Sequence, residues 1–175
     1  MGTELAQVDA LLSIAEIAAT FAGFAALVTL FARRRVAGSG AHDLLRLRLV
    51  ITASVVVVIT ALIPVALIGY GLGEGLTMRL AAGIFLLLVY LALASFIGSY
   101  QPVRGLFPPD RLAVGVAAVL ELLVQIALIM IVLDFLPERH SGLYLSALVA
   151  TLSQAAFVFL RLVESTFASI VGRDA

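Results

Sequence analysis

Five long stretches of apolar residues, separated by short polar segments, determine what this chain can fold into. An α-helix of about 20 residues crosses the hydrocarbon core of a bilayer, and each stretch is at least that long. Hydrophobic residues make up 63% of the 175 residues and charged residues 13%, which is more apolar than a water-soluble domain. We therefore predict an all-α integral membrane protein, a single transmembrane domain over residues 1–175, with helices at about residues 10–32, 44–72, 79–100, 111–136 and 142–171.

The arginines predict how these helices are oriented. All eleven basic residues are Arg, and only Arg79 and Arg139 lie on one of the two predicted sides. Because cytoplasmic loops are rich in basic residues, we predict a multi-pass protein of the cell (inner) membrane, with its N-terminus outside and its C-terminus in the cytoplasm. The formal net charge is zero, which argues against nucleic acid as a partner. The lipid bilayer is therefore the predicted partner.

The first predicted helix carries a carboxylate, Glu16, at a depth where a charge is costly in lipid. Thr20 follows one turn later on the same face. The small residues Ala19, Gly23 and Ala26 permit close approach of another helix, from this chain or from a neighbouring copy. We expect Glu16 to face a helix, a cavity or a partner group, either in a pathway or as a buried carboxyl that holds helices together.

Glu121 lies near the middle of the fourth predicted helix, and Gln125 lies one turn further on the same face. We expect this pair to avoid lipid. The carboxyl group of Glu121 could be satisfied by one of three partners: Glu16, Gln154 of the fifth helix, or Glu121 of another copy. A ring of Glu121 side chains around an oligomer axis would resemble the carboxylate rings of cation-selective pores, whereas hydrogen bonding between helices is the purely structural interpretation.

Two further features concern the helix ends and a helix interior. Arg161 and Glu164 are three residues apart near the end of the fifth helix, where we expect an interfacial ion pair. Pro64 interrupts the second helix and leaves the carbonyl group of Thr60 without its helical donor. Pro64 is therefore a candidate hinge.

The composition argues against an enzyme. The chain has neither Lys nor Cys, so it offers no Schiff-base lysine and no thiol nucleophile. The two histidines, His42 and His140, lie on opposite sides of the predicted membrane and cannot bind one metal or haem together. We predict no catalytic residue, no metal site and no cofactor.

Two carboxylates, Glu16 and Glu121, lie at different depths in the predicted membrane, and few residues lie outside it. These two features lead to one main functional hypothesis. We expect a homo-oligomeric channel, or a pathway for a small solute, for which a small cation or a proton is the candidate species. Two alternatives stay open. One is a non-conducting scaffold or accessory subunit whose buried Glu and Gln residues are structural. The other is a lipid-binding membrane protein, in which arginines attract anionic headgroups.

Overall fold

The computed structural model describes residues 2–33, 40–101 and 111–171. These residues form five long α-helices, which confirms the predicted number, and each contains a segment long and apolar enough to cross a membrane. A short 3₁₀-helix, Pro137–Arg139, directly precedes the last of them. The α-helices are α1 Gly2–Arg33, α2 Gly40–Gly69, α3 Glu74–Tyr100, α4 Arg111–Val132 and α5 His140–Val171.

Several helix ends differ from the predicted bounds. α1 begins at Gly2 and not near residue 10, so residues 2–9 also belong to the helix. α3 begins at Glu74, earlier than predicted, because the turn that precedes it is short. α4 ends at Val132, where residues 134 and 136 adopt left-handed backbone conformations with φ angles of 60° and 57°. A right-handed helix cannot continue through such residues.

The turn between α2 and α3 depends on a glycine. Gly71 has a φ angle of +77°, a conformation that residues with a Cβ atom rarely adopt. The N–H group of Gly71 donates a hydrogen bond of 2.8 Å to the carbonyl oxygen of Ile68, which closes the turn. This turn allows α2 and α3 to pack side by side in opposite directions.

Four of the helices form a ring. α2 packs against α3, α3 against α4, α4 against α5, and α5 closes the ring against α2. α1 lies outside this ring, mainly against α2, and also contacts α5. There the ring of Phe24 lies 5.7 Å from that of Phe159 in an edge-to-face arrangement. In the described part of the chain, one side of α1 is therefore left without a neighbouring helix.

The two ends of the bundle differ in charge. We call the end at which α2 and α4 begin the arginine-rich end, because Arg33 closes α1, Arg46 and Arg48 lie in the first turns of α2, and Arg111 opens α4. The other end is called the opposite end. Other arginines on which the orientation argument rests lie outside the described residues: Arg34, Arg35, Arg104 and Arg173.

The main hydrophobic core fills the opposite half of the ring. Its largest members, each no more than 1% exposed, come from α1, α3, α4 and α5: Leu11, Met78, Phe85, Leu128, Ile131, Tyr144 and Leu148. The ring of Phe85 meets that of Tyr144 at a centroid distance of 5.9 Å and an angle of 71°, a favourable edge-to-face geometry. This half of the bundle is densely packed and apolar.

Candidate functional site

A cavity of about 550 Å³ lies between α2, α3, α4 and α5 in the half of the bundle near the arginine-rich end. Most of its wall is apolar, with side chains such as Leu49, Val89 and Val158. The cavity is partly open and not fully enclosed. Its volume falls in the range of about 300–1,000 Å³ that is typical of small-molecule sites.

Glu121 lies on the wall of this cavity, half-buried among apolar side chains. Gln125, one turn along α4, donates a hydrogen bond of 3.0 Å from Nε2 to the Oε1 atom of Glu121. Gln154 of α5 lines the same cavity, and its Nε2 atom donates to the backbone carbonyl oxygen of Ala117 at 3.3 Å. The cavity thus collects the polar residues predicted for α4 and α5, although Glu121 is bonded by Gln125 and not by Gln154.

Arg161 and Tyr100 also line the cavity. Nη1 of Arg161 lies 3.7 Å from Oε2 of Glu164, and its guanidinium group lies over the ring of Phe157 at 5.6 Å from the ring centre. Arg161 therefore makes the contact expected with Glu164 and, in addition, supplies positive charge at the cavity wall. The sequence did not reveal that Arg161 lies on the wall of a cavity.

The polar residues predicted on α1 lie elsewhere. Glu16 and Thr20 are exposed on the side of α1 that no other helix covers, and Thr20 donates a hydrogen bond of 2.8 Å to the carbonyl oxygen of Glu16. Ala19, Gly23 and Ala26 are exposed on the same side, and nothing lies within 4 Å of the position that a Cβ atom on Gly23 would occupy. Within the described part of one chain, Glu16 and Glu121 therefore do not share a cavity.

The cavity ends where the main core begins. On α2, α3, α4 and α5, the lining residues furthest from the arginine-rich end are Val56, Val89, Gln125 and Thr151. About one turn further along, the helices contribute residues that are fully buried: Thr60, Phe85, Leu128 and Leu148. The described part of the chain therefore contains a one-sided cavity that is separated from the opposite end by packed side chains.

Pro64, the candidate hinge, lies within this packed half. Its missing N–H group leaves the carbonyl oxygen of Thr60 without the usual helical donor. The hydroxyl group of Tyr144 donates a hydrogen bond of 2.6 Å to that oxygen. The side chain of Tyr144 is fully buried. The segment of α2 that contains Pro64 is thus joined to α5 by this hydrogen bond, about one turn beyond the cavity.

Sequence reasoning missed two polar clusters that connect distant helices. At the opposite end, Arg79 lies 2.7 Å from Asp134, and the Nε2 atom of the buried His140 lies 3.8 Å from the other carboxylate oxygen. At the arginine-rich end, Arg48 donates hydrogen bonds to Ser95 and Ser99 of α3, at 3.0 and 2.9 Å. The spacing of Ser95 and Ser99 by four residues was the one available signal, since it places both hydroxyl groups on one helix face.

The arrangement can bind a molecule that is largely apolar and carries a hydrogen-bonding group. The wall offers the Glu121 carboxyl group and the amide groups of Gln125 and Gln154 in a setting where such groups are otherwise rare. Comparisons of the chain with protein-family models, with curated proteins and with solved structures find no significant match.

Proposed function

We propose that this protein binds a long-chain amphipathic molecule in the cavity between α2, α3, α4 and α5. The observation that carries the proposal is the position of Glu121, a carboxyl group on the wall of an otherwise apolar cavity of about 550 Å³. The lipid-binding alternative from the sequence thereby gains support over the carboxylate-lined pathway.

The polar groups, and not the apolar wall, would determine which molecule is bound. Lipid tails are as apolar as the side chains of a membrane protein, so a hydrocarbon chain gains little by moving from the bilayer into the cavity. A hydroxyl, amide or amine group on that chain has no partner in lipid but can donate to Glu121 or to the side-chain oxygens of Gln125 and Gln154. Each such hydrogen bond is worth about 1–2 kcal/mol.

The closed side of the cavity supports binding in preference to passage through one protomer. A continuous pathway would require the packed residues around Phe85 and Tyr144 to separate. A homo-oligomeric pathway for a cation or proton, with Glu16 on a shared surface, stays a prediction, as does the non-conducting scaffold. The pathway prediction draws on both carboxylates, Glu16 and Glu121, and the scaffold prediction makes the buried Glu and Gln residues structural.

The orientation belongs to the same proposal. With the arginine-rich end in the cytoplasm of the cell (inner) membrane, as the arginine distribution favours, the cavity would open towards the cytoplasmic leaflet. The N-terminus would lie outside and the C-terminus inside. Bound molecules would then exchange with that leaflet.

Native mass spectrometry of the purified protein tests the proposal. The unmodified chain, extracted without added lipid, should retain a co-purified amphiphile that Ala117→Phe displaces, because the new ring occupies the cavity. Ala94→Phe is the matched control, since Ala94 is exposed on α3 and does not line the cavity. Glu121→Gln should weaken retention about tenfold. Equal retention by the unmodified chain and the Ala117→Phe variant would contradict the proposal.

A further inference from the structure

Arg48 forms a charged site next to the cavity. Its two terminal guanidinium nitrogens donate to the hydroxyl groups of Ser95 and Ser99 at 3.0 and 2.9 Å. We infer that Arg48 binds the anionic headgroup, a phosphate or a carboxylate, of the molecule whose chain lies in the cavity. This inference rests on the proposed function and specifies the class of ligand.

Arg48 has capacity to bind an anion. A guanidinium group carries five N–H donors in a rigid planar fork, and the two serines use only part of this set. No carboxylate with a described side chain forms an ion pair with Arg48, in contrast to Arg79, which is paired with Asp134. The serine hydroxyls fix the side chain but do not neutralise its charge. An anion would supply the missing negative charge and accept paired hydrogen bonds.

The location of Arg48 fits a headgroup. The apolar segment of α2 that could cross a membrane begins at Leu47, so Arg48 lies at the boundary between water and hydrocarbon, where lipid phosphates are found. A small recess between α2 and α3 contains Arg48, Ser95 and Ser99. It shares wall residues with the main cavity: Leu45, Leu49, Thr52, Ala92 and Phe96.

The positive-inside rule alone accounts for an arginine at this end of the bundle. It does not account for the two hydrogen bonds that hold Arg48 against α3 beside the cavity. The recess shares wall residues with a space suited to a hydrocarbon chain, so an anion attached to such a chain would lie close to Arg48. The geometry therefore points to an anionic amphiphile, such as an anionic phospholipid or a fatty acid.

Binding of defined probes to detergent-solubilised protein tests this inference by native mass spectrometry. The probes are dioleoyl phosphatidylglycerol, oleate, the uncharged monoolein and inorganic phosphate. Arg48→Gln should weaken binding of the two anionic amphiphiles about tenfold and leave monoolein unchanged. Arg139→Gln is the matched control, because it removes the same charge at the exposed opposite end. Ser95→Ala combined with Ser99→Ala should give a smaller loss in the same direction.

Two outcomes would overturn the inference and are distinguishable from failure of the proposed function. In the first outcome, Arg48→Gln weakens binding of the anionic amphiphiles and of monoolein equally, or weakens neither, while Ala117→Phe still displaces the bound chain. Arg48 would then not be a headgroup site, although the cavity would still bind the chain. In the second outcome, the protein binds inorganic phosphate, Arg48→Gln abolishes that binding, and the lipids bind without any preference for the anionic ones. Arg48 would then be a site for a free anion. Failure of the proposed function itself would give a different result: Ala117→Phe would leave the binding of every amphiphile unchanged.

Discussion

The hydroxyl group of Tyr144 donates a hydrogen bond of 2.6 Å to the carbonyl oxygen of Thr60, the group that Pro64 deprives of its helical donor. The contact joins α5 to α2 across 84 residues of sequence. It lies in the packed half of the bundle, directly beyond the cavity. A side chain from another helix thus compensates for the defect that the proline creates.

Tyr144→Phe should destabilise the protein by about 1–2 kcal/mol, because the Thr60 carbonyl is left buried without a donor. The free energy of unfolding can be measured by denaturant titration in mixed micelles. Tyr90→Phe on the exposed surface of α3 is the matched control and should have little effect. Pro64→Ala restores a helical N–H donor to Thr60, so Tyr144→Phe should cost less in that background. An equal cost in both backgrounds would contradict this account of the contact.

Single cysteines test whether the cavity is closed on one side, since the chain has no native Cys. A cysteine at Ala117, on the cavity wall, should react with a small methanethiosulfonate reagent. A cysteine at Ala82, which is fully buried in the main core, should be protected. The reaction rates in the folded protein provide the comparison. Fast reaction at both positions would show that water reaches through the packed half.

The orientation can be tested in intact cells with a membrane-impermeant maleimide. Glu138→Cys, between α4 and α5 at the opposite end, should be labelled from outside. Gln101→Cys, at the end of α3, should be labelled only after permeabilisation. The reverse pattern would place the arginine-rich end outside and contradict the positive-inside assignment.

Gly23→Leu tests whether the uncovered side of α1 contacts another copy of the chain. A Cβ atom at Gly23 would meet nothing within 4 Å in the described part of the chain, and Gly23 is exposed. We therefore expect the fold to be unaffected, so that a change in assembly reports a neighbouring molecule. We expect the mass of the assembly, measured by light scattering, to fall towards that of a single chain. Gly98→Leu is the control, because it adds the same side chain at another open helix position. A native protein that is already monomeric would contradict the predicted homo-oligomer.

The helices were predictable because each is a long apolar segment, and the shared face of Glu121 and Gln125 follows from their spacing of four residues. Contacts between distant segments were not predictable. Pro64 indicated a carbonyl in need of a donor, but nothing in the sequence identified Tyr144. The partners of Arg48 lie 47 and 51 residues away, and the order of the helices around the ring decides that they meet.

Glu16 illustrates a different difficulty. Several faces of α1 are apolar or small, so the sequence does not specify which of them packs inside. In the structure, Leu11, Ala15 and Ala18 form the buried side against the bundle, and Glu16 points away from it. Steric fit between small residues and α2 determines this rotation, and a local pattern of polar residues does not encode it.

Fluorescence quenching tests the central claim, a specific binding site in the cavity, most directly. The chain has no Trp, so Phe96→Trp places a single reporter on the cavity wall, and Phe135→Trp places one at the exposed opposite end. A brominated analogue of monoolein, whose hydroxyl groups can donate to Glu121, should quench the cavity reporter saturably at one molecule per chain, in competition with unlabelled monoolein. Gradual, non-saturable quenching of both reporters to the same extent would contradict a binding site in the cavity.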